Sequence, residues 1–192
     1  VCVFCGSKPG NRPAYGAEAV ALGRLLGENG LGLVYGGAQV GLMGMVADTA
    51  LAHGSEVIGV IPEVLAGVEV AHQNLSQLVL VGTMHERKAL MAKEADAFLA
   101  LPGGFGTLDE FFEILTWAQL EIHSKPCLLV NTEGYFDQLL AFLQTAIREG
   151  FLKTETYNYI HVAGGAAEAV DKVQRLWKDA PPNHAALASP AP

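Results

Sequence analysis

Asp96-Ala97-Phe98-Leu99-Ala100-Leu101-Pro102-Gly103-Gly104-Phe105-Gly106-Thr107-Leu108-Asp109-Glu110 changes character twice within a short length of chain. It begins as an apolar run of the kind buried in a parallel sheet, becomes glycine-rich, and ends by opening an amphipathic segment. Strand, glycine loop, helix is the repeating unit of a doubly wound α/β protein, whose ligands collect where the carboxyl ends of strands turn into helix N-termini. The same unit recurs on both sides of this stretch. Strands are expected near 1–5, 31–35, 56–61, 77–81, 96–101, 126–130 and 159–162, and helices near 13–29, 41–53, 84–94, 107–122, 135–149 and 165–178. Pro13 opens the first helix and Gly30 closes it, each where it costs the helix least. Residues 62–76 read as irregular. The pattern predicts a Rossmann-like, doubly wound parallel sheet of about seven strands with helices on both faces.

A chain of 192 residues, 51% hydrophobic and 17% charged, has enough apolar material for one well-buried domain. We expect a single nucleotide-binding catalytic domain over residues 1–179 and a mobile tail over 180–192. That tail carries Pro181, Pro182, Pro190 and Pro192 among small residues and lacks bulky groups to offset ordering entropy. The net charge of -8 argues against a nucleic-acid or anionic-membrane surface, so an anionic ligand must meet a local positive site. No apolar run approaches the roughly 20 residues of a membrane span. The opening Val1-Cys2-Val3-Phe4 is strand-like rather than a charged leader. With an odd number of cysteines, three, a reducing cytoplasmic setting is expected. Cys2 and Cys5 make a C-x-x-C without a second ligand pair, and are expected to be buried thiols rather than a metal or redox site.

Three glycine-rich turns fall on the carboxyl edge of the expected sheet: Cys5-Gly6-Ser7, Gly36-Gly37-Ala38-Gln39-Val40-Gly41-Leu42-Met43-Gly44, and Pro102 to Thr107. Glycine allows backbone N–H groups to converge on phosphate oxygens, and a following helix N-terminus adds partial positive charge. Each glycine by itself is equally explained by a tight turn. None of the loops matches the dinucleotide fingerprint or the triphosphatase loop, which leaves a monophosphate as the more economical ligand.

Thr107-Leu108-Asp109-Glu110 has the T-x-x-E spacing of a capping box, a complete structural account of Glu110; Thr83-Met84-His85-Glu86 has the same spacing. The glycine loop before Thr107 is what argues for a site instead. Arg87 and Lys88 stand near the start of a helix, where the macrodipole disfavours cations. They read either as a solvated surface pair or as a cationic site facing the Pro102–Thr107 loop, where Arg suits a phosphate or an oxyanion. Met43 and Met84 are candidates to line a flexible apolar pocket, and Met91 reads as core. The six histidines show no metal-ligand spacing and read as ordinary polar residues.

These residues resemble the LONELY GUY (LOG) family, the cytokinin riboside 5′-monophosphate phosphoribohydrolases. The resemblance rests on Pro102 to Glu110, which matches P-G-G-x-G-T-x-x-E, and on Val3-Phe4-Cys5-Gly6-Ser7, Val34-Tyr35-Gly36-Gly37, Val40 to Gly44, Met84-His85-Glu86-Arg87-Lys88 and Leu115-Thr116-Trp117-Ala118-Gln119-Leu120. It implies a Rossmann-like homodimer that hydrolyses N6-substituted adenosine monophosphates, often AMP itself, with no metal or organic cofactor. It also implies Arg87 and Glu110 as the catalytic pair. Substrate contacts are implied for Lys88, Gly104, Phe105, Gly106, Thr107, Thr116 and Glu69, to which the glycine loops and the methionines add Ser7, Gly37, Met43, Met84 and Gly103. Ala38 departs from the family, many of whose members carry a third glycine there. Two rival readings are a non-catalytic nucleotide or molybdenum-cofactor carrier of similar fold and a pyridoxal-phosphate decarboxylase. The second lacks a lysine in a plausible Schiff-base setting.

Overall fold

Seven strands, β1 (Cys2–Phe4), β2 (Leu33–Tyr35), β3 (Val57–Pro62), β4 (Gln77–Val81), β5 (Phe98–Ala100), β6 (Cys127–Val130) and β7 (Ile160–Ala163), form one sheet in the computed structural model, which describes residues 1–66 and 71–179. Their order is β4-β3-β2-β1-β5-β6-β7 and every neighbouring pair is parallel. The inner strands read as unbroken apolar runs because both faces are covered; Cys2, Val3 and Phe4, for example, are all buried. Chain growth runs outward from β1 to β4, then returns across the sheet to place β5 on the other side of β1. That reversal opens a crevice above the carboxyl ends of β1 and β5.

Among the described residues, eight α-helices accompany the sheet: α1 (Pro13–Glu28), α2 (Gly41–Ala52), α3 (Glu63–Ala66), α4 (Met84–Glu94), α5 (Phe105–Gln119), α6 (Asp137–Arg148), α7 (Thr154–Tyr157) and α8 (Ala166–Asp179). Leu22 and Leu26 of α1, Leu42 and Val46 of α2 and Val170 and Val173 of α8 share one core with Val3, Tyr35 and Leu99. Met91 of α4 and Phe111, Ile114 and Leu115 of α5 share the other with Phe4, Val34 and Phe98. Burying side chains of this size contributes about 1.5–3 kcal/mol each.

The strand and helix expectations hold to within a residue or two nearly throughout, with three differences. Residues 62–76 are not wholly irregular, since α3 lies within them, and α7 was not anticipated. Helix α5 starts two residues early, at Phe105, with Gly104 as its N-cap, so Thr107 is not the cap. The Thr107/Glu110 capping box is therefore overturned. The Thr83/Glu86 box is present: Thr83 Oγ1 accepts from the Glu86 N–H at 3.1 Å, and Glu86 Oε2 accepts from the Thr83 N–H at 3.1 Å. Glu69 and the tail 180–192 lie outside the described residues. Among the described residues, no helix is long and apolar enough to cross a membrane.

Candidate active site

The loops after β1, β2 and β5 meet at the crevice. The Gly6 N–H donates to the Pro102 carbonyl at 3.1 Å, and the Leu42 N–H donates to the Gly6 carbonyl at 3.0 Å, so the three glycine turns are stitched into one floor. At Gly36 and Gly103 a side chain would strike residues of the site itself. A Cβ on Gly36 would run into the Arg87 guanidinium and the Met43 methyl, and one on Gly103 would overlap Thr107 Oγ1. At these positions glycine serves close approach.

Arg87 projects from the first turn of α4 beneath the loops, where it is 8% exposed. Its Nε donates to the Val60 carbonyl at 3.0 Å, its Nη2 reaches the Gly36 carbonyl at 3.5 Å, and its Nη1 lies 3.1 Å from Glu110 Oε1. These partners explain a cation at the dipole's unfavourable end: strand-end carbonyls and a carboxylate outweigh a macrodipole term of about 0.3–1 kcal/mol. Glu110, also 8% exposed, lies on the inner face of α5. A surface-pair reading of Arg87 is thereby excluded.

A cavity of about 210 Å³ opens over this pair, lined by Ser7, Gly36, Met43, Gly104 and Thr107 among others. Gly104, Phe105 and Gly106 bring the α5 N-terminus to its wall, and the first N–H groups of a helix have no intrahelical partner. The site thus joins an anion-seeking backbone to a buried cation–carboxylate pair. Phe105 is almost fully exposed at the rim.

Of the other expected residues, Gly103 lines an adjoining cavity of about 380 Å³ with Lys8, Tyr15 and Tyr135. Gly37 lies at φ 77°, and its carbonyl accepts from the His72 N–H. Lys88 lies outside the 210 Å³ cavity and bridges Asp109 at 3.2 Å and Glu113 at 3.1 Å on α5. Burial alone would lower its ammonium, but the hydrogen bonds and charges of Glu113 and Asp109 prevail and hold it above the ordinary lysine value. Met84 and Thr116 are exposed, the Thr116 hydroxyl donating to the Phe112 carbonyl. Cys2 and Cys5 are buried, and desolvation, with Glu110 adding to it, raises both thiols, so neither supplies a thiolate.

His72, read as an ordinary polar residue, is 1% exposed and 2.8 Å from Asp48 through Nε2, while its Nδ1 accepts the Asn74 N–H. That pairing assigns the proton to Nε2. The ring ties the chain before β4 to Asp48 of α2, while the neighbouring backbone meets the second glycine loop through the Ala71–Ala38 bridge and the His72 N–H to Gly37 carbonyl bond. No spacing signal in the sequence marks it. Among the described residues, no group of three or more His, Cys, Asp or Glu is placed to hold a metal ion.

Fold and site define a Rossmann-like α/β protein with a buried Arg–Glu pair at the base of a glycine-walled cavity. A family model described as "Possible lysine decarboxylase" matches residues 43–173. The chain is 47% identical over 188 residues to a probable cytokinin riboside 5′-monophosphate phosphoribohydrolase of Oryza sativa subsp. japonica, covering 98% of this chain and 75% of the relative. A cytokinin riboside 5′-monophosphate phosphoribohydrolase of Arabidopsis thaliana is 45% identical, covering 98% of this chain and 87% of the relative; one of Rhodococcoides fascians is 47% identical, covering 91% and 88%. The chain belongs to the LOG family of cytokinin riboside 5′-monophosphate phosphoribohydrolases. A molybdenum-cofactor carrier protein of Chlamydomonas reinhardtii shares the fold, with a TM-score of 0.70 at 23% identity over 93% of this chain and 97% of that one.

The decarboxylase description implies pyridoxal phosphate, and these residues do not fit it. Lys88 is held protonated by two carboxylates, the opposite of what an imine-forming lysine needs. Lys125, whose pKa burial lowers, donates to the Ala92 carbonyl just ahead of β6, at the sheet edge opposite the site.

Proposed function

We propose that this protein hydrolyses the N-glycosidic bond of adenosine 5′-monophosphates, N6-substituted or plain, releasing the free base and ribose 5-phosphate. The observation that carries the reading is the 3.1 Å Arg87–Glu110 pair beside the α5 N-terminus, in a chain 45–47% identical to phosphoribohydrolases. The 5′-phosphate sits on the N–H groups of Gly104, Phe105, Gly106 and Thr107, where convergent amides and the helix dipole supply positive potential to a chain of net charge -8. The ribose then lies over Glu110. As the C–N bond breaks, the sugar gains oxocarbenium character and the base carries away the bonding electrons. Glu110 faces the developing cation and takes a proton from the incoming water, and Arg87 orients the carboxylate and stabilises the negative charge on the leaving side. The proton held by Glu110 then passes to the departing base, so that water supplies both the hydroxyl on the sugar and the hydrogen on the base. With one carboxylate at the centre, the two-acid glycosidase scheme does not apply.

Protonation of the departing base and attack of water both require that bulk water be kept from the reacting centre. A second copy of the chain supplies that cover. Met84 at the head of α4 and Leu120 and Ile122 beyond α5 are exposed apolar side chains that a homodimer would cover. Lys88 and Thr116 contact substrate on that side. The site needs no metal or organic cofactor, and the cytoplasm is its compartment. The molybdenum-cofactor carriers match at 23% identity or below, so their cargo carries no weight here beyond the fold.

The test is chromatography of AMP and N6-isopentenyl-AMP after incubation with wild type, Arg87→Ala and Glu110→Gln. Free base and ribose 5-phosphate from wild type alone support the reading and rank the substrates. Tight nucleotide retention without release from wild type would replace it with a carrier role.

A further inference from the structure

The Gly103–Gly104 peptide has glycine on both sides, and flanking glycines tolerate both orientations of a peptide plane. Its orientation matters, since the carbonyl of Gly103 and the N–H of Gly104 belong to one trans peptide and point in opposite directions. Only one orientation presents that N–H to the anion. In this structure the Gly103 carbonyl accepts a hydrogen bond of 2.6 Å from the Tyr135 hydroxyl, on the side of the 380 Å³ cavity that both residues line. The Gly104 N–H therefore points away from Tyr135, and Gly104 borders the cavity of Arg87 and Glu110 as well as the one it shares with Tyr135.

The turn that delivers Tyr135 is costly to build. Glu133 lies in the left-handed region at φ 55°, uncommon for a residue with a side chain, and Gly134 follows at φ 70°. Asn131 fastens the turn, donating to Asp137 at 2.7 Å and accepting from the Phe136 N–H at 2.7 Å. Tyr135 then packs edge-on against Tyr15, 5.6 Å between ring centroids. We propose that Tyr135 is a positioning residue for the reaction: its hydroxyl locks the Gly103–Gly104 peptide in the orientation that binds the substrate's 5′-phosphate. This rests on the anion-binding reading of that loop.

Tyr135→Phe removes the hydroxyl and keeps the ring. Losing one hydrogen bond that holds a two-state peptide corresponds to about a tenfold rise in KM for AMP. Ribose 5-phosphate affinity, measured by titration calorimetry, should weaken by the same factor, with kcat and inhibition by unphosphorylated adenosine unchanged. Tyr15→Phe, which removes a neighbouring hydroxyl, should change none of these. Wild-type affinity for ribose 5-phosphate in Tyr135→Phe overturns the proposal, as does a parallel loss of adenosine and ribose 5-phosphate binding, which marks a merely structural role. The titration needs no turnover, so a wild type that binds ribose 5-phosphate but releases no base defeats the hydrolase reading alone. A wild type that does not bind ribose 5-phosphate defeats the anion loop and this proposal with it.

Discussion

Two stretches of this chain carry the same T-x-x-E spacing at the head of a helix, and they do different work. Thr83 and Glu86 close a capping box at the start of α4, where both ends of the motif are exposed and exchange hydrogen bonds with each other's backbone. Thr107 and Glu110 lie already inside α5, 3% and 8% exposed, with Glu110 turned toward Arg87. The difference lies in what precedes the threonine. Before Thr83 the chain leaves β4 through a bend at Gly82, and Thr83, itself extended, is the cap. Before Thr107 the loop ends in Gly104, which lets the helix begin two residues sooner and rotates Glu110 onto the inner face. Spacing within a motif therefore does not determine its role; helix register, set upstream, does.

The largest expected effect comes from breaking the inner motif. Glu110→Gln keeps the side chain's shape but not its charge or basicity, and should lower kcat by about 100-fold or more, in the range assigned to positioned acid–base groups. Circular dichroism checks that the protein is folded; a folded variant of wild-type kcat removes Glu110 from the chemistry. Next comes Gly36→Ala, whose methyl overlaps the far end of the Arg87 side chain rather than backbone. The guanidinium must move off the Val60 and Gly36 carbonyls, and a displacement near 1 Å at a reacting centre can cost about 100-fold. We expect a fall in kcat of about tenfold or more with little loss of folded protein, measured by initial rates on AMP and by thermal melting.

Most of the fold was legible because a doubly wound sheet writes itself in apolar runs and glycine stops. The Gln77–Val81 strand and the Met84–Glu94 helix coincide with their sequence boundaries. What failed was local. The expected helix at 107–122 took its start from the threonine, since a glycine cap has no side chain to announce it. The helix expected at 135–149 absorbed Tyr135 as its first residue, whereas α6 begins at Asp137 and leaves Tyr135 free to reach Gly103. Arg87 and Glu110 were each visible as candidates, but their 3.1 Å contact depends on β5 lying beside β1, a long-range fact that no window of sequence contains. His72 and Asp48 were invisible for the same reason: their pairing joins α2 to the chain before β4.

A smaller effect separates the two threonines. Thr107→Val preserves shape and removes a hydroxyl from the wall of the cavity over Arg87 and Glu110, so KM for AMP should rise by about three- to tenfold, the range for one hydrogen bond. Melting temperature should hold, because residue N3 of a helix is not its cap. A fall in melting temperature with unchanged KM would return Thr107 to the capping role that its spacing suggests.

Glu86→Ala is the converse and the smallest effect on activity. It deletes the carboxylate that accepts the Gly82 N–H at 2.8 Å and the Thr83 N–H at 3.1 Å. Both donors are exposed, so water replaces the lost acceptor and the cost is that of a cap rather than of a buried vacancy. A capping residue contributes about 1 kcal/mol, a melting shift of about 2–4 °C for a chain of this size. Arg87 is the very next residue, yet its guanidinium is held by Val60, Gly36 and Glu110 and not by the helix end. The fraying that follows loss of the cap is confined to the first turn, while Met91 and Ala92 keep the body of α4 in the core. Initial rates on AMP should therefore match wild type while the melting temperature falls. A proportional loss of kcat would show instead that the cap and the buried arginine form one mechanical unit, and that the division between the two T-x-x-E motifs is less complete than their geometry indicates.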